Sequence, residues 1–140
     1  MINDIKSVLR FTNYKVDKIE FKLNPNYKNE KIDIDLNIKK QVMFDENEKV
    51  WNVKLITKVF EDATENNYPF SLEIELTGIF EVDTEDDNNT EKLLNINAVA
   101  ILFPYVRSLI STYTANANVQ PLILPAINVN KLIDMSKKEQ

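Results

Sequence analysis

Between Leu93 and Val106 the chain is apolar on every side of any helix it can form. One stripe runs Leu94, Ala98, Ile101, Tyr105, Leu109, and a second runs Leu93, Ile96, Val99, Phe103, Val106, Ile110. The stretch from Asn95 to Ser111 is too long and too little alternating for a strand. A helix that is apolar all round must be covered all round. A chain of 140 residues is one domain's worth, and a single small core does not surround such a helix. The pattern therefore predicts that a second subunit completes its burial. Pro104 lies inside it, lacks an amide donor and crowds the preceding turn, which predicts a kink or a fresh helix start.

The residues before the helix alternate with period two. Ile19, Phe21 and Leu23 share one parity and Tyr14 and Val16 the other, which places a bulge near Asp17. Ile32, Ile34, Leu36, Ile38, Val42 and Phe44 predict a second strand, against Asp33, Asp35, Asn37 and Lys39. Trp51, Val53, Leu55, Thr57 and Val59 predict a third, with Ile56 and Phe60 as exceptions on the outer face. Phe70, Leu72, Ile74, Leu76, Gly78, Phe80 and Val82 predict a fourth. Polar turns join them. The reading is α+β: an antiparallel sheet with one wet face, its apolar face covered by the C-terminal third. Gly78 sits on the inward parity, where a strand gains nothing from glycine, and predicts a close backbone approach or a bulge. A short helix is expected over 3–9, capped by Asn3, and a last one from about Asn130 through Met135.

Several chemistries are excluded by absence. There is no cysteine and no histidine, and Gly78 is the single glycine, so thiolate chemistry, the commonest general base and glycine-rich phosphate loops are out of reach. A net charge of −5 disfavours general nucleic-acid binding. No run of about 20 apolar residues is unbroken, since Asn95, Asn97 and Arg107 interrupt the best candidate, and the N-terminus lacks a signal-like apolar run. The expected location is the cytoplasm. Asp83, Glu85 and Asp87 alternate like a calcium loop, but Asn88 and Leu94 stand where that loop needs glycine and glutamate. They read as helix-capping carboxylates before Asn89 or Thr90. The pairs Asp33/Asp35 and Glu73/Glu75 fall on the wet face and read as sheet surface. Asn88-Asn89-Thr90 matches a glycosylation sequon without a secretory context. Tyr105 and Arg107 read as a packed ring and a helix flank. There remains an excess of apolar surface, including the proline-bracketed residues 121–127, and such surface marks assembly or apolar partners.

Ile101-Leu102-Phe103-Pro104-Tyr105-Val106-Arg107 resembles the Ile-Leu-Phe-Pro-Tyr-Ala-Arg signature of the SecB protein-export chaperones. Gly78-Ile79-Phe80 resembles the close of that family's fourth strand, and Pro121-Leu122-Ile123-Leu124-Pro125-Ala126-Ile127-Asn128 its proline-bracketed connector. The resemblance runs from Tyr14 to Met135. It implies a four-stranded antiparallel sheet covered on one face by a long helix and a short C-terminal helix. It divides the chain into an N-terminal extension (1–12), sheet (13–82), long helix (90–118), connector (119–129) and C-terminal helix (130–136). It implies a homotetramer built as a dimer of dimers, with Leu72, Ile74, Leu76, Ile101 and Phe103 in its packing. It implies no enzyme activity and no cofactor, metal or nucleic acid. The role it implies is an ATP-independent holdase that keeps unfolded preproteins fit for export and passes them to the SecA translocase motor. The client groove it implies comprises Tyr105, Leu109, Tyr113, Leu122, Ile123, Leu124, Ile127 and Leu132. Many weak apolar contacts with strand-like backbone bonding suit a promiscuous binder.

This chain departs from the family where the motor docks, on the wet sheet face. Lys18 and Lys22 stand where acids are expected, Ser71 replaces an apolar contact, and Glu73 keeps its acid. Sign reversals on a charge-steered interface weaken docking. The family's acidic tail is replaced by Lys137-Lys138-Glu139-Gln140. Two other readings are therefore open. One is a SecB-like chaperone for a particular client, such as an antitoxin, without motor delivery. The other is a non-chaperone adaptor on the same scaffold.

Overall fold

A computed structural model describes residues 8–138. The alternation is realised as four antiparallel strands, β1 (Leu9–Leu23), β2 (Leu36–Asp45), β3 (Val50–Val59) and β4 (Phe70–Val82), in the order β1-β4-β3-β2. A one-turn helix, α1 (Ala63–Asn66), lies between β3 and β4. The long helix α2 runs over Asp87–Asn116 with one π-helical turn at Leu93–Asn97, and α3 is Val129–Lys138. The architecture is the expected α+β one.

β1 begins at Leu9, so residues 9–12 belong to the sheet rather than to an N-terminal extension. β4 holds them there. Arg10 pairs with Glu81 through a 3.0 Å salt bridge, and Phe11 stacks on Phe80 at 5.2 Å between ring centroids. Of the short helix expected over 3–9, residues 3–7 lie outside the described residues, and Leu9 opens the strand. The bulge expected near Asp17 is present, and a second lies at Thr12. Each shifts the parity by one. As a result Leu9, Phe11, Tyr14, Val16, Ile19, Phe21 and Leu23 all face the same side as their partners Val82, Phe80, Gly78, Leu76, Ile74, Leu72 and Phe70. Asp17, released by its bulge, accepts a hydrogen bond from the Thr77 hydroxyl.

β2 starts at Leu36, later than the alternation from Ile32 suggests. Its partner β3 stops at Val59, so residues upstream of Asp35 have no strand to pair with. Phe60, expected on the outer face, is instead buried. Its backbone turns into the left-handed region (φ 55°), which swings the ring to the core side.

The helix caps differ slightly from expectation. Asp86, not Asn89 or Thr90, caps α2, accepting from the amides of Asn88 at 3.0 Å and Asn89 at 3.4 Å. Asp83, earlier in the acidic loop, lies 3.6 Å from Arg10. The helix continues through Pro104 without ending. The carbonyl that loses its donor belongs to Ala100, which is exposed, so water can take the missing role. At the π turn, the Asn95 carbonyl accepts from Lys40 Nζ at 2.8 Å and the Ile96 carbonyl from Asn130 Nδ2 at 3.3 Å.

α2 lays one face on β3 and β4: Leu94, Ala98, Val99, Leu102, Phe103, Val106 and Ile110, all buried. α3 covers β2, with Ile133 fully buried and the Ser136 hydroxyl 3.4 Å from the Ile38 amide on that strand. Gly78 meets the expectation of a close approach. A Cβ there falls inside the contact distance of the Leu102 side chain and 2.8 Å from the Phe80 ring. Along β1 the core side is covered less completely, and Tyr14, Val16 and Leu23 stay exposed there.

Candidate functional site

Two partly apolar surfaces remain open. The first is a groove of about 670 Å³ where the β1–β2 connection crosses the end of the sheet. Its floor is Phe60, Pro69 and Phe70, its near wall the connection between Leu23 and Ile34, and its far wall residues 119–122. The floor is rigid because aromatic rings brace it. Phe60 meets Phe70 edge-on at 5.2 Å and Tyr68 at 4.8 Å, and Phe21 stacks on Phe70 at 5.1 Å. The strained φ of Phe60 is held by its amide, which donates to the Asp35 carbonyl at 2.9 Å.

Asparagines fix the near wall. Buried Asn24 donates to the carbonyls of Tyr68 at 2.9 Å and Ala63 at 3.2 Å. Asn67 acts as a surrogate strand partner for Lys28, accepting from its amide at 2.8 Å and donating to its carbonyl at 3.1 Å. The far wall is pinned to α2 at Leu122. Its amide donates to the Thr114 hydroxyl at 2.8 Å, and its carbonyl accepts from the Ser111 hydroxyl at 3.1 Å.

The second surface joins the outer flank of α2 to the open side of β1. Tyr105 packs on Tyr14 at 4.6 Å and meets Phe11 edge-on at 5.6 Å. Beside them Val16 and Ile101 are exposed, with Tyr14 itself 40% accessible although it faces the core side of the sheet.

The eight residues expected to line a client groove are therefore not one cluster. Leu122 lines the 670 Å³ groove, and Ile123 beside it is 76% exposed. Leu124 is buried, at 5%, in the core, so it belongs to the packing of the connector and not to an open wall. Leu109 and Leu132 are half-buried against the core, while Tyr113 and Ile127 are exposed. Tyr105 belongs to the β1 flank. Leu23, Tyr27, Ile32, Ile34, Phe60 and Val119 line the groove and were not anticipated. The one signal was Phe60, an apolar residue on the wrong parity. The residues expected to pack subunits together also divide. Leu72, Ile74 and Leu76 on β4 and Phe103 on the inner face of α2 are buried within this chain, and only Ile101 is exposed.

On the wet sheet face, Lys18 hydrogen-bonds Glu73 and lies 3.6 Å from Glu20. Glu73 also has Lys58 at 3.8 Å, and Glu75 has Lys54 at 3.4 Å. The Glu73 hydrogen bond is the main reason the Lys18 pKa is raised. Lys22 stands opposite Ser71 in the β1–β4 register. The acids of this face are thus already matched by cations of the same chain. Among the described residues no three metal-ligating side chains converge.

The family model for the preprotein translocase subunit SecB matches residues 11–140. The chain belongs to the SecB family. It is 44% identical over 128 residues to an uncharacterized protein of Methanocaldococcus jannaschii, covering 89% of this chain and 81% of that one. It is 27% identical to the protein-export protein SecB of Dichelobacter nodosus, over 80% of this chain and 71% of that one. The fold is shared with the SecB-like chaperone of Mycobacterium tuberculosis, solved in complex with a ChAD peptide from an antitoxin. The TM-score is 0.70 at 16% identity, over 85% of this chain and 90% of that one.

Proposed function

We propose that this SecB-family chain is an ATP-independent holdase that binds unfolded polypeptides through apolar grooves. Family membership and the shared fold support a chaperone role. The observation that carries the finer reading is the open groove of about 670 Å³, floored by a braced aromatic cluster and walled in part by Val119 and Leu122. Such a surface on a small chain suits polypeptide segments rather than one rigid ligand. The working unit is a homotetramer in the cytoplasm, formed through the β1 side and the α2 flank. The test is suppression of aggregation by purified protein added to several unrelated unfolding proteins. Protection of most of them is expected; protection of none refutes the reading and leaves the adaptor alternative.

A second reading is favoured by the wet sheet face. With Lys18 on Glu73 and Lys54 on Glu75, this chain offers a basic partner few free acids. We infer, on this alternative reading, that delivery to the SecA motor is weak and that the chaperone serves a narrow client set, so that few of the unrelated proteins are protected, in parallel with the relative solved with an antitoxin peptide. Binding to the motor is measured for the wild type and for Lys18→Glu with Lys22→Glu. Binding only after the substitutions supports the inference, and strong wild-type binding overturns it.

A further inference from the structure

The π turn of α2 is held from outside the helix. Within it the Ala98 amide donates to the Leu93 carbonyl, one residue farther back than α-helical bonding reaches. Three side-chain donors gather on the carbonyls around it. Asn95 Nδ2 donates to the Glu91 carbonyl at 2.9 Å from within the helix. Lys40 Nζ reaches the Asn95 carbonyl at 2.8 Å from β2, and Asn130 Nδ2 the Ile96 carbonyl at 3.3 Å from α3. The turn also changes which side chains meet the sheet. Leu94 and Val106 are twelve residues apart, which on an uninterrupted α-helix sets them about 120° apart around the axis. The extra residue of the π turn closes that angle to about 20°, and both side chains are buried. With no π turn, Asn95 would face the sheet in place of Leu94.

We propose that Lys40 and Asn130 are positioning residues that clasp the π turn from two sides, fixing the phase of the first part of α2 and docking the start of α3 against it. Each makes its bond from a different element, so the turn joins β2, α2 and α3 at one place. Holding the lysine there has a cost. Burial first, then Lys137, lowers its pKa, with Asp134 pulling the other way. The bond to the Asn95 carbonyl offsets that cost. The clasp also completes a strap. Leu122 is bonded to Ser111 and Thr114, and Asn130 to Ile96, so the segment between Leu122 and Asn130 is tied to α2 at both ends.

Amide hydrogen exchange of the full chain, read at single residues by NMR, tests the clasp. Asn130→Asp removes the donor and keeps the side chain's shape, while an acid in the first turn strengthens its own helix. An effect confined to α3 would therefore slow exchange in α3 and leave α2 unchanged. The clasp instead predicts exchange about fivefold faster at residues 97–99 of α2, and Asn130→Ala, which adds no charge, should match it. Lys40→Met keeps the stem without the donor and should speed the same amides about fivefold, with Lys40→Arg restoring most of the protection. Deleting Asn97, which is exposed, removes the extra residue and keeps Leu94 in phase with Val106. In that background Lys40→Met and Asn130→Ala should change exchange at Ala98 and Val99 by less than about twofold. Substitutions that leave residues 97–99 at the wild-type rate, or that act as strongly in the deletion background, overturn the clasp. Should the deletion variant not fold, the substitution series alone decides.

Discussion

Gly78 is the most informative position for testing how α2 is held on the sheet. Substitution by alanine places a methyl inside the contact distance of both Leu102 methyls and 2.8 Å from the Phe80 ring, all in the fully buried core. Removing a glycine from a strand stabilises by roughly 0.5–1 kcal/mol through the unfolded state. Forcing a methyl into a packed core costs roughly 1–3 kcal/mol. The net expectation is destabilisation by about 1–2 kcal/mol. Leu102→Ala alone should cost about 2–5 kcal/mol, because it opens a cavity under the helix. In the double variant the new methyl enters that cavity, so the two costs should fail to add by about 1–2 kcal/mol in the favourable direction. Urea unfolding of the four proteins at one fixed concentration measures this cycle, concentration being fixed because assembly contributes to apparent stability. Additivity within about 0.5 kcal/mol, or a Gly78→Ala variant as stable as wild type, refutes the idea that this glycine exists to let the helix approach.

Three further outcomes are expected. Thr57 carries a fully buried hydroxyl with no hydrogen-bond partner among the described residues, so Thr57→Val should raise the urea midpoint by the equivalent of about 1 kcal/mol, and a drop would mean that the hydroxyl is satisfied. Asn118 comes just after α2 with a φ of 60°, and Asn118→Gly should raise the melting temperature slightly, by about 0.5 kcal/mol in stability. Lys40 faces inward beside the π turn, and burial first, then Lys137, lower its pKa from the ordinary 10.5 against the pull of Asp134. The unfolded chain therefore holds this proton more tightly than the folded one, and stability gained from this site rises as pH climbs through the folded pKa toward 10.5. Wild type should accordingly gain on Lys40→Met in urea midpoint as the pH rises toward 10.5, and a flat or falling difference contradicts the desolvation of a charged lysine at this site.

The strands were legible where one residue's parity decided one face. β3 and β4 keep to their alternation almost residue for residue, because both faces of each are set by long, regular pairing. β1 was harder, since two bulges reset its parity, and only the one at Asp17 breaks the apolar alternation visibly. Thr12 gave no such sign, because the residues before it were read as lying outside the sheet. Phe60 looked like an outward residue because its left-handed φ is imposed by the turn that leaves β3, not by its own side chain. Residues 32–35 carry a strand pattern but lack a neighbour to pair with. The burial of Leu124 is hidden in the sequence for a different reason. In a run such as Leu122-Ile123-Leu124 every residue is apolar, so no contrast shows which one turns inward. The groove was hidden because it is made by the crossing of a loop and a connector that are about 90 residues apart in sequence.

The all-apolar helix that opened the question is half explained by one chain. Its inner face lies on β3 and β4, while Ile101, Tyr105 and Tyr113 outside that face are each about two-fifths exposed. The same is true of β1, a 15-residue edge strand whose core-side Tyr14, Val16 and Leu23 are left exposed. Long apolar edges invite pairing, and a stable chain blunts or covers them. These two deficits are adjacent, since Tyr105 touches Tyr14, so one contact with a second copy can relieve both. A typical stable interface buries about 800 Å² on each partner, a scale that a β1 edge with the adjoining helix flank can supply. Light scattering should then give a multiple of the 16.3 kDa chain mass. Tyr14→Asp with Tyr105→Asp should lower that mass while leaving the circular dichroism of the sheet and helix intact, because neither ring is part of the buried core. A wild-type monomer at micromolar concentration, or an assembly indifferent to both charges, would show that this surface is covered by something other than a copy of itself.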